Sequence, residues 1–556
     1  MENNSLSPYR YICLPLVWLA LSLTKAALAA AGPTPDAIRA ALETTQPVAH
    51  TSEQGRRVIT RDELAWFYAA RGHAPIWSEQ PRLDRLQEAI LELADDGLDP
   101  AAYALDEIRA LGMRLAGGGT LAVCDELATS QVYLTALLHL SQGALDPAVF
   151  EPLWRSNGRP APLIDRERLL MLAADSLDDI VAGFEAARPN VLHYRALRQA
   201  HATLRSSLAD VHWPEVPPGA TLREGMRSPR VPALRERLQA EGYDTGTGEP
   251  DSQAYDTALI AAVTAFQQAN RLAADGVVGP ATLAVLNLPP GARLDRLSVN
   301  LERMRWLAAE HRSNYVLVNI AGARVSYFRH GEAIWDMRTQ VGRATRRTPL
   351  LASDITHLTL NPTWTVPPTI LRNDKLPEIR QDIDYLARNN MRVLDAGGRP
   401  LDPYSIDWER PGNILLRQDA GPSNALGQVA IRFPNPFHVY LHDTPSQRLF
   451  DRDQRAFSSG CVRVERALEL VDLLVEDGSD ASPELVAERI ASGRTSNFNL
   501  DRPIPIVMAY WTADVGEDGS PVFYPDIYRH DDRILAALRA PAKAYAIMSP
   551  CASAHS

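Results

Sequence analysis

At 556 residues the chain is too long for one core, and about 150 residues per domain points to three or four units. Charged residues are 22% and hydrophobic ones 46%, the make-up of an ordinary globular protein. The net charge of −11 excludes a protein that coats polyanions, so nucleic acid is not an expected partner.

The first 29 residues read as a signal peptide. Arg10 precedes the apolar run YICLPLVWLALSL, and Ala27-Leu28-Ala29 supplies a small-residue cleavage pattern. The run is short for a membrane span and Lys25 interrupts it, so an uncleaved anchor is the alternative. In both cases the bulk of the chain is expected to be exported. Removing the leader leaves Cys124, Cys461 and Cys551, and an odd number in an oxidising compartment implies at least one thiol without an intramolecular partner. The spacing leaves open whether Cys124 and Cys551 pair. There is no CxxC or HExxH pattern, so no metal site is expected.

Residues 30–215 carry apolar residues at helical spacing, as in RDELAWFYAARGHAPIW, RLDRLQEAILELADDGLDP and DELATSQVYLTALLHLSQGALDP. They read as a helical scaffold domain, with Trp66, Phe67, Tyr68 and Trp77 in its core. A Pro- and Gly-rich stretch opens a compact unit at 216–289. There Val231, Leu234 and Leu238 make one helical face, and Leu259, Val263 and Phe266 another. Arg223, Arg227, Arg230, Arg235 and Arg237 crowd its start beside Glu224 and Glu236 and read as a solvated face. Residues 290–312 read as a linking helix. From Asn314 the period becomes two: YVLVNI, RVSYFR, AIWDMRTQVG and HLTLNPTWTVPPTI are expected strands. Residues 371–429 interrupt what reads as one sheet and are taken as an insertion. VAIRFPNPFHVYLHD resumes the sheet, VERALELVDLLVEDG reads as an amphipathic helix, and IPIVMAYWTADV as the final strand. The fold class is multidomain α+β, with a mixed β-sheet domain over 313–530 and a tail at 531–556.

The chemistry concentrates in HVYLHDTPSQRLFDRDQRAFSSGCVRV. An expected strand ends on His442, and Ser458-Ser459-Gly460-Cys461 is expected to turn directly into a helix. A nucleophilic thiol needs an imidazole in reach, an orienter for it and donors for an oxyanion. Here His442 is the imidazole. The helix N-terminus and a protonated histidine are expected to favour the thiolate. The N–H groups of Gly460 and Cys461 are the expected oxyanion hole. A buried structural thiol is the alternative for Cys461. His438 and His442 on one strand face raise a metal reading, but no third ligand lies at a recognisable spacing, and His438 is assigned to the core or rim.

Two stretches carry a resemblance to known families. VPALRERLQAEGY followed by ALIAAVTAFQQANRLAADGVVGPATLAVLN resembles the three-helix peptidoglycan-binding domain, through Phe266-Gln267 and the run Asp275 to Thr282. HDTP with FSSGCVRV resembles the active-site motif of the YkuD-type L,D-transpeptidase catalytic domain, where His442, Ser458, Gly460, Cys461 and Arg463 fall on motif positions. Many members carry His where Ser459 stands, which leaves His442 as the sole catalytic imidazole. The order of scaffold, inserted peptidoglycan-binding domain and capped transpeptidase sheet is similar to the large Gram-negative YcbB-like branch. The resemblance implies a periplasmic enzyme without a cofactor. In that reaction Cys461 attacks diaminopimelate in a tetrapeptide donor, D-Ala leaves, and the diaminopimelate amine of a neighbouring stem resolves the thioester into a 3→3 cross-link. It further implies Arg463, Trp364, Tyr440, Ser458 and Ser459 as substrate-binding residues, wall synthases as partners, and carbapenems as covalent inhibitors. Arg463 paired with Glu465 or Asp443 is the structural alternative. The competing functions are a non-catalytic wall-binding scaffold, a wall cysteine endopeptidase, and attachment of a lipoprotein to the wall.

Overall fold

The computed structural model describes residues 32–44, 55–156, 166–208, 213–246, 252–270, 272–310, 312–452, 454–516 and 519–540. The leader at 1–29, Cys551 and most of the tail lie outside these. Among the described residues no helix is long and apolar enough to cross a membrane.

The scaffold is helical, as its periodicity implies. Helix α1 (Arg61–Ala69) starts at a capping box: Thr60 Oγ1 accepts from the Glu63 N–H, and Glu63 Oε2 accepts from the Thr60 N–H at 2.7 Å. Helices α2 (Gln80–Glu92) and α3 (Val123–Gln142) follow. Phe67, Tyr68 and Trp77 are fully buried, whereas Trp66 is 41% exposed and is not part of the core. Cys124 on α3 is disulfide-bonded, with its partner outside the described residues. A short strand β1 (Trp154–Arg155) and helix α4 (Leu192–Ser207) complete this part.

The next unit packs α5 (Val231–Ala240), α6 (Thr257–Ala269) and α7 (Pro280–Leu286) around the two apolar faces read from the sequence. Its Phe-Gln and Asp-Gly elements have a structural cause. Gln267 Nε2 donates to Asp275 Oδ1 and to the Val277 carbonyl, each at 3.0 Å, and its Oε1 accepts from the Gly276 N–H at 2.8 Å. One buried amide thus fixes the turn that follows the helix. The arginines here divide: Arg223 and Arg227 are exposed, as a solvated face implies, whereas Arg230, Arg235 and Arg237 are buried. Arg235 donates to the Thr245 carbonyl and Arg237 to the Leu286 carbonyl, so they close loops onto α5.

Helix α8 (Pro290–Leu307) joins the three parts. At its start Arg293 and Arg237 both lie over the Trp213 ring, at 4.4 and 4.3 Å, and both pair with Glu241. Further along, Arg305 pairs with Glu302 at 2.7 Å and donates to the Asp96 carbonyl of the scaffold. Arg303 pairs with Glu151 of the scaffold and with Asp531 near the C-terminus, both at 2.7 Å. Asn300 accepts from the Thr512 N–H at 2.8 Å.

The sheet domain contains β2 (Tyr315–Asn319), β3 (Arg324–Arg329), β4 (Glu332–Gly342) and β5 (Leu351–Leu360). The insertion begins with β6 (Trp364–Thr365). It continues through α9 (Leu376–Gln381), α10 (Tyr385–Arg388), β7 (Met391–Asp395), β8 (Pro400–Leu401) and β9 (Ile414–Gln418). These strands form a separate sheet in the order β6-β9-β7-β8, over a core of Val366, Ile379, Leu386, Met391, Val393 and Leu416. The main sheet resumes with β10 (Val429–Arg432), β11 (Leu441–His442), β12 (Ala456–Ser458) and β13 (Val462–Val464). Helix α11 (Ala467–Gly478) and the long strand β14 (Ser496–Ala509) follow. The pairings run β5-β10-β11-β13-β4-β3-β2-β14 and close on themselves, because β14 pairs with β5 as well. Along this path two parallel pairs (β11 with β13, β2 with β14) lie among antiparallel ones, so the sheet is mixed.

A buried charge left without its counter-ion costs about 3–5 kcal/mol. Arg303→Ala strands Glu151 and Asp531 together, so a loss of that order is expected in denaturant unfolding of the full chain. An unchanged midpoint would remove α8 from its role as the joint.

Candidate functional site

Strand β11 runs parallel to β13 with Leu441 opposite Val462 and His442 opposite Arg463. Leu441, Val462 and Val464 are fully buried under α11, in the core formed with Leu470, Val471 and Leu474. Side chains alternate across a strand, so Tyr440, His442, Cys461 and Arg463 all lie on the opposite face. The antiparallel neighbours extend that face: His442 pairs with Ala430, which puts Arg432 there, and Arg463 pairs with Gln340 on β4. The His442 and Cys461 of the sequence motif are brought together by this register.

The segment after Cys461 departs from expectation. It enters the short strand β13, and α11 begins only at Ala467, so no helix N-terminus faces the thiol. The turn is held by side chains instead. Ser458 Oγ donates to the Cys461 carbonyl at 2.5 Å and accepts from the Gly460 N–H at 3.1 Å. Thr348 Oγ1 donates to the Gly460 carbonyl at 2.9 Å. Gly460 has φ +119°, a backbone region that favours glycine. Because its N–H is committed to Ser458, Gly460 is not a free oxyanion donor, contrary to the sequence reading.

His442 is 4% exposed, and its Nδ1 lies 2.6 Å from the Asp443 carbonyl. A carbonyl only accepts, so Nδ1 carries the proton and Nε2 presents its lone pair. Burial, with Arg463 and Arg432 adding to it, pushes the imidazole down to about 3 against the raising effect of the Asp443 carbonyl. Burial pushes the Cys461 thiol up, opposed by the main chain and hydroxyl of Tyr440 and by Arg432 and Arg463. The resting pair is therefore a neutral thiol and a neutral imidazole, and not the thiolate and imidazolium anticipated. Cys461 is free and partly exposed, with Sγ 3.9 Å from the His438 carbonyl.

Other candidates fall in distinct places. Tyr440 stands at the site, with the Arg432 guanidinium 3.9 Å above its ring and the His442 ring 5.6 Å away. Arg463 pairs with neither Glu465 nor Asp443: its Nη1 donates to Gln340 Oε1 at 3.0 Å, while Glu465 is taken by Arg338. Ser459 accepts from Arg346 Nη1 at 2.9 Å. Trp364 lies on β6 and packs on the insertion's own core, with Lys375 Nζ 5.8 Å from its ring. His438 is exposed, precedes β11 and has φ +55°, so it does not share a strand face with His442. Among the described residues no group of three or more potential ligands could hold a metal. The sequence reading missed Arg432, the Asp443 carbonyl and Arg346. Arg432 carried a signal, two residues past Ala430 in a short alternating strand.

A neutral pair predicts the pH dependence of the thiol. His442 is uncharged above about 3 and cannot hold a thiolate, and burial pushes the thiol up, so alkylation of Cys461 by iodoacetamide should climb with pH only above the ordinary thiol range. A rate plateau starting below about pH 7 would show a standing ion pair instead.

The geometry agrees with comparisons to known proteins. Residues 313–494 match the YkuD family, described as L,D-transpeptidase catalytic domain. Residues 62–200 match a family described as scaffold domain, and 227–286 one described as "Putative peptidoglycan binding domain". A protein of Haemophilus influenzae called "Putative L,D-transpeptidase" is 36% identical over 244 residues, which is 43% of this chain. The chain spans about half, 48%, of the length of that curated relative. Among solved structures, an L,D-transpeptidase from Xylanimonas cellulosilytica is 16% identical over 53% of this chain and 100% of its own, with a TM-score of 0.16. The LD transpeptidase LdtMt1 in complex with imipenem is 14% identical over 35% of this chain and 59% of its own, with a TM-score of 0.17. Residues 313–494 thus match the YkuD family of L,D-transpeptidase catalytic domains, in a chain that also matches a putative peptidoglycan-binding domain and is homologous to a putative L,D-transpeptidase.

Proposed function

We propose that the protein is a peptidoglycan L,D-transpeptidase that forms 3→3 cross-links through a thioester on Cys461. The observation that carries the reading is the placement of Cys461 and His442 on one polar face of a closed sheet, with His442 Nδ1 tied to the Asp443 carbonyl. His442 Nε2 takes the thiol proton as Sγ attacks the diaminopimelate carbonyl of a tetrapeptide donor. The C–N bond to D-Ala breaks, and His442 returns the proton to the departing amine. The diaminopimelate amine of a second stem then attacks the thioester, gives its proton to His442, and the C–S bond breaks with the sulfur reprotonated.

With Gly460 N–H engaged, the developing oxyanion is assigned to the Cys461 N–H and the Tyr440 hydroxyl. Arg463 and Arg432 have no ion pair among the described residues and suit the carboxylates of the stem peptides. The reaction belongs where peptidoglycan is, in keeping with the signal-like leader at 1–29 and export to the periplasm. The unit at 216–289 would hold the enzyme on its polymer, beside the synthases that build it.

Incubation with a disaccharide-tetrapeptide should yield a 3→3 dimer and free D-Ala for the wild type, and neither for Cys461→Ala or His442→Ala. Dimer formation by Cys461→Ala would overturn the assignment. A carbapenem is expected to add its mass to Cys461, and an unmodified protein would count against an accessible acylating thiol. Deleting 371–429 should shift product from dimer to hydrolysed tripeptide, since the insertion is taken to exclude water from the thioester. An unchanged ratio would refute that role.

A further inference from the structure

The connection between β4 and β5, residues 343–350, wraps the cysteine turn. Arg343 N–H donates to the Ser458 carbonyl at 3.1 Å, Thr348 holds Gly460, and Arg346 Nη1 donates to Ser459 Oγ at 2.9 Å. Arg347 turns away, to His530 and the Tyr528 ring. Arg346 also reaches across to the insertion. Its Nη1 lies 2.5 Å from Asp374 Oδ2 and its Nη2 3.2 Å from Oδ1, a two-pronged clasp of one carboxylate. Arg343 Nη2 approaches the same Oδ2 at 3.5 Å.

The charges here do not balance. One carboxylate, Asp374, faces Arg343 and Arg346, and neighbouring Lys375 donates to the Tyr385 hydroxyl at 2.6 Å. On the catalytic face itself, Arg432 and Arg463 have no ion pair among the described residues. The single carboxylate in this basic surround belongs to the insertion, which packs on its own core. It sits in a π-helical turn, Leu371–Lys375, a rare conformation that is frequent at functional sites. Arg346 and Asp374 are 16% and 33% exposed, so an incoming group reaches them from solvent.

We infer that Asp374 occupies the place of a substrate carboxylate: Arg346 binds a free carboxylate of the peptide donor, which displaces Asp374. This rests on the proposed reading of the site as one that takes stem peptides. Exchanging one carboxylate for another keeps the guanidinium paired and returns the part-exposed Asp374 to solvent and Arg343, so the exchange is close to balanced and is decided by the rest of the substrate. The insertion is thereby released from the cysteine turn when a carboxylate-bearing donor arrives, and kept on it otherwise. Peptides whose carboxylate is amidated lack the group that makes the exchange. The donor offers two such groups, its C-terminal carboxylate and the free carboxylate of diaminopimelate, and the chemistry at Arg346 is the same for both.

The test is binding of a disaccharide-tetrapeptide to the full chain carrying Cys461→Ala, by calorimetry, with Arg346→Ala, Arg346→Lys or Asp374→Asn added. Each is measured with the free-acid donor and with donors amidated at one carboxylate or the other. Losing a charge-assisted hydrogen bond changes affinity by about tenfold or more. Arg346→Ala should bind the free-acid donor more weakly than Asp374→Asn by that factor and leave one of the two amidated donors unaffected, which identifies the carboxylate recognised. Arg346→Lys should recover part of the loss, and Asp374→Asn should tighten the free-acid donor several-fold. The inference is overturned if Arg346→Ala weakens all three donors equally, if Asp374→Asn leaves affinity unchanged, or if no donor binds. With Cys461 present, Arg346→Ala should raise the iodoacetamide rate, because the insertion is no longer clasped to the turn, and a collapsed rate would make Arg346 a support of the turn instead. Arg346-dependent binding without any acylation of the wild type would uphold the carboxylate site and defeat the transferase reading.

Discussion

The parallel register of β11 and β13 is the constraint on which the site depends. Leu441 and Val462 must face the core together, and the alternation of a strand then places Tyr440, His442, Cys461 and Arg463 together on the other side. A slip of one residue would send the nucleophile into the core and leave Val462 in the site. The core beneath α11 therefore does more than stabilise the domain, because its fixed phase sets the reacting groups side by side. The Ser458 and Thr348 hydroxyls do the remaining work, bracing a glycine turn that the ladder alone would leave open.

Around this sheet the protein is joined by polar contacts as much as by apolar ones. Helix α8 buries Asn300, Glu302, Arg303 and Arg305 among partners from the scaffold and the C-terminal segment. Such contacts are demanding in geometry, so they fix how the parts meet as well as that they meet. The insertion is attached differently. It has its own sheet and core, and Asp374 clasped by Arg346 is a point where it meets the cysteine turn.

Much of this was legible in the sequence where a pattern repeats. The faces Val231, Leu234, Leu238 and Leu259, Val263, Phe266 are buried as periodicity implied. Most period-two runs from Asn314 onward became strands of one mixed sheet, while Trp364–Thr365 joined the insertion's sheet and Ala513–Val515 a two-stranded one. Cys461 and His442 were legible as a pair through residue type and motif. The helix expected directly after Cys461 was an error of resolution: Val462–Val464 is three residues of alternation, too short to be separated from the strong helical pattern that follows. Charge was the least legible property. Arg235 and Arg237 looked like a solvated face, yet both are buried, and besides Asp256 and Glu241 they hold backbone carbonyls that no sequence pattern marks. Arg346 was invisible for the same reason, since Ser459 and Asp374 are distant in the chain.

The electrostatics of the pair also depend on folding. Burial raises the Cys461 thiol and lowers His442, so the nucleophile is formed on demand and not stored. The central claim, that Cys461 carries the acyl group, is tested most directly by intact-protein mass spectrometry with peptide mapping after mixing with a disaccharide-tetrapeptide. The account predicts an adduct equal to the donor less D-Ala, located on Cys461 and absent from Cys461→Ala. An unmodified wild type that still binds the donor, or an adduct on another residue, would contradict it.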